Sequence, residues 1–226
     1  MSDLDLLQLE MNLLWGPDLY GRPASPHPLV ALALANDGRA LRFGSGVPSD
    51  LRASLAESLS HDPSPERFVG ECGRPMDSRV CTSGPSYVFD GEGAPSSDHR
   101  VVTSEERVES WLEEARPEAW GDPGEWRDLL AGRLGPWAFG ILGGHVVSVC
   151  YTPVASPHAA EAGIWTLPET RGRGYAPATV AAWARVAKGR FGTRFYSTGS
   201  ENAASQAVAR KLGLRRVGTI WQIPRL

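Results

Sequence analysis

A strand–loop–helix pattern in residues 161–184, EAGIWTLPETRGRGYAPATVAAWA, constrains the fold more than any other part of the sequence. The first residues can run extended until Pro168, which has no N–H for a strand ladder. From Pro177 onward the apolar residues recur at helical spacing. Between these parts, RGRGYA (171–176) carries two glycines and an alanine, which allow the backbone to come close to a ligand. Because a helix N-terminus presents free N–H groups, this arrangement is typical of a phosphate-binding site.

A second motif lies in residues 201–214, ENAASQAVARKLGL. It predicts a helix with apolar residues four apart, at Ala204, Val208 and Leu212, that stops at Gly213. The first motif has neither the Rossmann pattern of three glycines nor the Gly-Lys-Ser/Thr ending of a P-loop. Its spacing, Pro-x-x-Arg-x-x-Gly-x-Ala, instead resembles the acetyl-CoA-binding loop of the GNAT superfamily of N-acetyltransferases. The second motif resembles the next GNAT segment, in the form found in the Asn-x-x-Ser subgroup.

The resemblance covers residues 100–226 and implies an α/β (α+β) fold, in which a central mixed, mostly antiparallel sheet is flanked by helices. We therefore expect a GNAT acetyltransferase domain in residues 86–226. Residues 1–85 have no part in the resemblance and are predicted to form a helix, a hairpin and a helix. Two roles stay open for this additional N-terminal α/β region: it completes the acceptor pocket or it forms a contact in a homodimer.

Local patterns predict the elements around the two motifs. Ser104 is expected to cap a helix, because acidic residues and then apolar residues at helical spacing follow it. The remaining helices are predicted over 4–15, 50–59 and 123–134. Strands are predicted over 29–35, 41–43, 137–142, 145–153, 194–197 and 216–223, with irregular structure over 61–84. The first strand of the family corresponds either to 87–89 or to 100–103.

The resemblance also implies which residues bind acetyl-CoA, the acyl donor and cosubstrate; no metal is expected. Backbone N–H groups of Ile164, Trp165, Thr166 and Leu167 would meet the pantetheine arm and polarise the thioester carbonyl. The pyrophosphate would lie on the loop residues Arg171, Gly172, Arg173, Gly174, Tyr175 and Ala176. Asn202 and Ser205 of the second motif would line the pantetheine side.

Acetyl transfer to an amine needs a base for the ammonium and an acid for the leaving thiolate. Glu161 is the candidate base, since many family members carry a glutamate near the start of this strand; the alternative is a surface glutamate. His158 in the preceding loop is the second candidate. Ala209 occupies the position where many members carry a tyrosine acid. Ser205 is therefore the candidate that hydrogen-bonds the sulfur, unless it bonds its own helix backbone and water supplies the proton.

These residues predict an acetyl-CoA-dependent N-acetyltransferase that acts by direct transfer on a primary amine of a small molecule or of a peptide or protein N-terminus. Such an enzyme holds both reactants together, and this proximity supplies much of the rate. The alternative is a GNAT-fold protein that binds acyl-CoA without turnover. The absence of the tyrosine and the unassigned N-terminal region keep this alternative open.

Charge and composition bear on the partners. From Arg171 onward the sequence has eleven Lys/Arg and one acidic residue, whereas the whole chain has a net charge of −3. This basic end suits a polyanion such as CoA; a nucleic acid is the rival, but the basic residues are not interleaved with aromatics. The sequence has no apolar run of the length of a membrane helix, no secretory signal pattern and three unpaired cysteines. We expect a cytoplasmic protein without a membrane partner.

Overall fold

A computed structural model describes residues 1–22, 26–61, 64–73, 81–91, 98–106, 110–120 and 122–224. The α-helices are α1 (Asp3–Trp15), α2 (Ser49–His61), α3 (Pro65–Gly73), α4 (Trp111–Glu114), α5 (Pro123–Leu130), α6 (Tyr175–Lys188) and α7 (Ala203–Lys211). The strands are β1 (Val30–Ala35), β2 (Arg39–Phe43), β3 (Thr82–Val88), β4 (Arg100–Thr103), β5 (Ala138–Leu142), β6 (His145–Tyr151), β7 (Ala159–Glu161), β8 (Gly163–Thr166), β9 (Thr193–Ser197) and β10 (Arg215–Ile223).

The larger sheet has six strands in the order β2-β1-β10-β3-β9-β7. All of its neighbours are antiparallel except β7 and β9, which run parallel. Both neighbours of β10 come from the N-terminal part of the chain: Val30 of β1 pairs with Ile223, and Ser86 of β3 pairs with Gly218. The strands β1, β2 and β3 of the N-terminal region therefore belong to the same sheet as the C-terminal strand.

The smaller sheet has four antiparallel strands in the order β4-β5-β6-β8. Only Ala162 separates β7 from β8, yet β7 pairs with β9 in the larger sheet and β8 pairs with β6 in the smaller one. The single strand predicted before Pro168 is therefore divided, and the two sheets separate at this point. The predicted fold class, a mixed and mostly antiparallel sheet structure flanked by helices, is confirmed.

Helices cover both faces of the larger sheet. Ser2 caps α1 in a capping box with Asp5, and the apolar side of this helix packs on one sheet face. That cluster joins Leu6, Leu7, Met11, Leu13 and Trp15 to Phe195, Val217 and Ile220. On the opposite face, α6 contributes Val180, Trp183 and Ala187 to a cluster with Tyr87, Phe89 and Tyr196. Alternate residues of β9 therefore face different helices, as the strand period requires.

Two predicted elements were wrong. Residues 61–84 contain the helix α3, with Phe68 and Cys72 fully buried, because the Pro and Ser residues that suggested irregular structure flank this helix. Ser104 does not cap a helix: it lies in a turn, and its Oγ accepts a hydrogen bond from the Trp137 N–H at 3.2 Å. Helix α4 is a single turn that starts at Trp111, and residues 107–109 of the predicted helix lie outside the described residues.

Other predicted elements agree in type and differ in extent. Helix α5 ends at Leu130, since residues 131–134 form turns with Gly132 at a φ of 72°. The strand beside β5 is β4, residues 100–103, so the family's first strand is this one rather than 87–89. The helix, hairpin and helix expected in residues 1–85 are present as α1, β1/β2 and α2. The predicted boundary between residues 85 and 86 falls inside β3. Within the described ranges, no helix has the length and apolar character needed to cross a membrane.

Candidate functional site

A cleft of about 540 Å³ opens where β7 and β8 separate. Its walls come from β8, the loop before α6, the end of β9 and helix α7. Ten predicted cofactor-binding residues line it: Ile164, Trp165, Thr166, Arg171, Gly172, Gly174, Tyr175, Ala176, Asn202 and Ser205. The two motifs, about thirty residues apart in sequence, therefore meet at one cavity. Leu167 and Arg173 are not part of its lining.

The backbone of β8 has one open edge, because β8 is the last strand of its sheet. The Leu167 N–H donates to the Val147 carbonyl at 2.9 Å, so it is not available to a ligand. Since N–H groups along a strand alternate in direction, Trp165 faces β6 as well, whereas the N–H groups of Ile164 and Thr166 point to the open edge. Two of the four predicted backbone donors are thus free to meet a ligand in the cleft.

The loop between β8 and α6 brings backbone donors to the same cleft. After a short 3-10 turn at Pro168–Thr170, Gly172 and Gly174 have φ angles of 76° and 92°, which favour glycine. Helix α6 begins after Gly174 without a side-chain N-cap and with no acidic residue in its first turn. Its first N–H groups therefore have no partner within the helix, and the helix dipole favours an anion at this end. Arg171 is exposed beside the loop.

His99, which the sequence did not suggest, contacts this loop from the position just before β4. Its Nε2 lies 2.9 Å from the Arg173 carbonyl oxygen. The imidazole ring meets the Tyr175 ring edge-on with 4.4 Å between the centroids. A Cβ atom at Gly174 would stand 3.1 Å from His99 Cε1, so the loop also has little space for a side chain there. Nothing in the local sequence links residue 99 to the loop, because the contact spans 74 residues.

Glu161 is buried rather than exposed, so the alternative of a surface glutamate is wrong. Only 5% of this residue is accessible, and its Oε1 accepts hydrogen bonds from the Ser197 N–H at 2.6 Å and the Ser197 Oγ at 2.8 Å. Burial raises the pKa of Glu161 to about 7, against the two Ser197 hydrogen bonds, which lower it. Ser197 itself lines the cleft, and it connects the carboxylate to the cavity.

His158 lies away from the cleft. It is exposed, and its carbonyl oxygen accepts a hydrogen bond from the Thr193 N–H at 3.1 Å, at the start of β9. Ser197 and Glu161, by contrast, meet at the far end of that strand. The direction of β9 therefore separates this histidine from the candidate site.

Ser205 and Tyr196 form a pair of hydroxyls at the inner side of the cleft. The Ser205 Oγ lies 2.7 Å from the Tyr196 hydroxyl, and both residues line the cavity. Burial raises the pKa of Tyr196 to about 12, so this phenol keeps its proton at neutral pH. Asn202 caps α7 by accepting the Ser205 N–H at 3.0 Å. Ala209 is fully buried on the same helix.

Sequence reasoning missed Tyr196 because the family pattern was examined only along the helix that contains position 209, and Tyr196 lies on a strand. The family pattern points to position 209 for a tyrosine, and Tyr196 lies in a different element, thirteen positions earlier. The signal that could have found it is strand alternation: a tyrosine that follows a buried phenylalanine must face the opposite side of β9, toward α7. In the described part of the chain, no cluster of three or more His, Cys, Asp or Glu side chains could hold a metal ion.

The model of the acetyltransferase (GNAT) domain family matches residues 94–215, and the chain belongs to this family. A GCN5-related N-acetyltransferase from Kribbella flavida is similar over 100% of this chain and 97% of its own, with 14% identity and a TM-score of 0.52. A GNAT-family acetyltransferase from Colwellia psychrerythraea is similar over 100% and 98%, with 16% identity and a TM-score of 0.50. At these identities the similarity concerns the fold.

A third solved structure, a GNAT-family acetyltransferase from Novosphingobium aromaticivorans, shares 21% identity at a TM-score of 0.48. The alignment covers 64% of this chain and 64% of that one, so the chain spans less than two thirds of this relative. No curated protein sequence matches the chain.

Proposed function

We propose that this protein is an acetyl-CoA-dependent N-acetyltransferase, which moves an acetyl group directly to a primary amine of a small molecule or of a peptide or protein N-terminus. The observation that carries the proposal is the convergence of two different chemistries on one cleft. Backbone donors for a phosphate and a thioester line the cleft together with the protonated phenol of Tyr196, and the buried Glu161 carboxylate lies directly behind Ser197, which also lines it.

The residues present fit acetyl-CoA. The open end of α6 and the left-handed glycines offer N–H groups to a pyrophosphate, and the absence of acidic residues from the first turn of α6 avoids repulsion. The excess of Lys/Arg from Arg171 onward favours the same polyanion. Arg171 would add charge beside the loop. Asn202 and Ser205 would line the pantetheine side, in keeping with the Asn-x-x-Ser subgroup.

Glu161 would act as the base. An ammonium that enters the cleft loses one proton to the Glu161 carboxylate through the Ser197 hydroxyl, and the free amine then attacks the thioester carbonyl. A base is most effective when its pKa is near the working pH, and burial brings Glu161 to that range. The proton on Glu161 is later released to solvent.

Stabilisation of the carbonyl oxygen and protonation of the thiolate would use groups on β8 and β9. The N–H groups of Ile164 and Thr166 at the open edge of β8 would stabilise the negative charge that develops on the carbonyl oxygen. As the carbon–sulfur bond breaks, the Tyr196 hydroxyl would give its proton to the thiolate, with Ser205 held beside it at 2.7 Å. The second proton of the attacking amine is lost to solvent, and solvent returns a proton to the Tyr196 phenolate. Tyr196 thus takes the role that the family pattern assigns to the position of Ala209.

The test is calorimetric titration with acetyl-CoA, followed by measurement of thiol release against a panel of amines and N-terminal peptides. Binding with release on one class of amine is the expected result. Binding without release on any amine would favour the second candidate, a non-catalytic acyl-CoA-binding protein, which the alanine at position 209 supports. No binding at all would overturn both.

The setting of the protein is part of the proposal. Cys72, Cys81 and Cys150 carry free thiols, and burial raises the pKa of the Cys72 and Cys150 thiols. Unpaired and unreactive cysteines suit the reducing cytoplasm. A homodimer stays an expectation, and the mass of the protein in solution tests it.

A further inference from the structure

Glu10 on α1 is a fully buried carboxyl in the middle of an apolar helix face. Its exposure is 0%, and its helical neighbours Leu6, Leu7 and Met11 are buried in the cluster with β9 and β10. Burying a charged carboxylate without a cation is strongly unfavourable, and an apolar residue of similar size would serve packing better. The position therefore holds a polar group for a reason other than stability.

The surroundings of Glu10 come from three strands. Glu161 of β7 acts on it electrostatically, and the hydroxyls of Ser86 on β3 and Ser197 on β9 lie close to it. Ser86 and Ser197 are directly paired across the sheet. Burial first, and then the Glu161 carboxyl, raise the pKa of Glu10 well above its ordinary value. Both effects favour the neutral, protonated form of Glu10.

No cation in the described residues pairs with Glu10. The basic residues on the strands packed against α1 have other partners: Arg39 bonds the Ser60 carbonyl, Arg42 bonds the Met11 carbonyl, Arg194 bonds the Ala184 and Phe89 carbonyls, Arg215 pairs with Asp3 and Asp90, and Arg216 bonds Thr219. The other acids of α1, Asp3 and Asp5, lie in its first turn. Proton binding is thus the remaining way to neutralise the Glu10 carboxyl.

The next question is which neighbouring group can accept the proton of the Glu10 carboxyl. Neither oxygen of Glu10 has a hydrogen-bond partner of ordinary geometry, and the same is true of the nearby Ser86 hydroxyl. A neutral carboxylic acid at this position needs an acceptor for its own O–H, and the Ser86 and Ser197 oxygens are the two hydroxyl oxygens beside it. The single proton of the Ser197 hydroxyl is committed to Glu161 Oε1 at 2.8 Å, so the lone pairs of Ser197 Oγ remain free to accept. A hydrogen bond from Glu10 to Ser197 would give the Glu10 proton an acceptor and would leave the Ser197 proton on Glu161 Oε1.

We propose that Glu10 is a positioning residue of the catalytic centre: as a neutral acid it donates to the Ser197 oxygen and holds the Ser197 hydroxyl on the Glu161 carboxylate. The role in catalysis rests on the proposed function, whereas the hydrogen-bonded chain does not. Through it the N-terminal helix stabilises the ionised base that takes one proton from the ammonium. After transfer Glu161 holds that proton and Glu10 keeps its own, and the Glu161 proton then leaves to solvent.

The test follows the Glu161 carboxyl carbon by NMR in full-length protein labelled with ¹³C-glutamate, with Glu161→Gln to assign the signal. Glu10→Met removes the donor and keeps the size, so the titration midpoint of Glu161 should rise by about one pH unit. Glu10→Gln keeps an N–H donor and should stay within about 0.3 units of wild type. Glu57→Gln, at an exposed position of α2, is the control and should cause no shift.

An unchanged or lower midpoint in Glu10→Met would overturn the proposal, because it would mean that Glu10 does not donate to the chain or is itself ionised. If Glu10→Met does not fold, Glu10→Leu removes the same donor and should raise the midpoint in the same direction. Thiol release in parallel separates the two proposals. If Glu10→Met shifts the midpoint but the wild-type protein has no turnover, the hydrogen-bonded chain is supported and the proposed enzymatic function is rejected. If the protein turns over substrate but the midpoint does not shift, the hydrogen-bonded chain is rejected.

A stability measurement distinguishes this role from packing. A carboxyl whose pKa is raised on folding holds its proton in the folded state after the unfolded chain has lost it, so the free energy of unfolding falls as pH rises above about 4.5. Glu10→Met should therefore gain more in Tm at pH 8 than at pH 5. An equal change at both pH values would contradict a protonated Glu10.

Discussion

Residues 1–88 and residues 161–223 contribute to the same sheet and the same site, but only the second region carries motifs. The loop after β8 and the start of α7 line the cleft with backbone groups and a capping asparagine. The N-terminal region contributes α1 over Glu161 and the two strands that flank β10. A site that binds a ligand through its backbone needs glycines at fixed positions, so it produces a recognisable sequence motif. A helix that covers the site can contribute through a single polar residue among leucines, which produces no motif.

The largest effect should come from removing the region without motifs. A fragment that starts at Ser86 lacks α1, β1, β2 and half of β3, so β10 loses partners on both edges and Phe195, Val217 and Ile220 lose their cover. We expect no cooperative unfolding transition in circular dichroism. A folded fragment that binds acetyl-CoA would show that residues 1–85 are not needed for folding or binding, and would support a separate domain in residues 86–226.

The next largest effect concerns Glu161, which belongs to the second region and is covered by α1 of the first. Glu161→Gln should lower kcat by roughly 10²–10⁴-fold and leave acetyl-CoA affinity unchanged, because the base is lost and the loop is not. In wild type, kcat/KM should rise with pH through about 7 as Glu161 loses its proton, and the variant should lack this rise. Glu169→Gln, in the exposed turn before the loop, is the matched control. A wild-type rate in Glu161→Gln would reject the role.

Gly174→Glu tests the region with motifs alone. A side chain at a φ of 92° is strained, its Cβ would press on His99, and its charge would repel a phosphate at the start of α6. We expect a loss of acetyl-CoA affinity on the order of 100-fold in calorimetry, with the fold retained.

Gly70→Glu adds the same charge at an exposed position of α3 with open space around it, and it should bind as wild type does. If both variants bind acetyl-CoA equally well, the loop is not the phosphate site.

The smallest effect should come from Tyr196→Phe. The variant loses the proton donor for the thiolate, but water can protonate a good leaving group, so kcat should fall by only roughly 10-fold at constant affinity. Tyr87→Phe removes a hydroxyl from the paired tyrosine on β3, which is also buried, and serves as the control. Equal losses in the two variants would assign the effect to packing rather than to proton transfer.

The sequence was sufficient for the parts of the site that one segment encodes. The loop and the helix after it follow from glycines at fixed spacings, whereas the capping of α7 by Asn202 was not predicted. Glu161 could be named but its burial could not, since this depends on α1 lying over β7. Tyr196, His99 and Glu10 were missed because their contacts join residues far apart in the chain.

The division between β7 and β8 was also beyond local reasoning. Both halves have extended character, and the break at Ala162 exists because each half finds a different partner strand. Gly163 allows it: a Cβ atom there would stand 2.8 Å from Tyr151 Cε1, so a larger residue would push β8 away from β6. The cleft therefore depends on pairing between strands far apart in the sequence, which the residue pattern of one strand does not reveal.

The position of β10 has a consequence for the order in which the protein can assemble. During synthesis the β1/β2 hairpin and β3 leave the ribosome early, but the strand that belongs between β1 and β3 is made almost a whole chain later, since Val30 pairs with Ile223. Until then two strand edges stay open to the wrong partners. We expect slow, late closure of the larger sheet and a nascent chain that benefits from a chaperone.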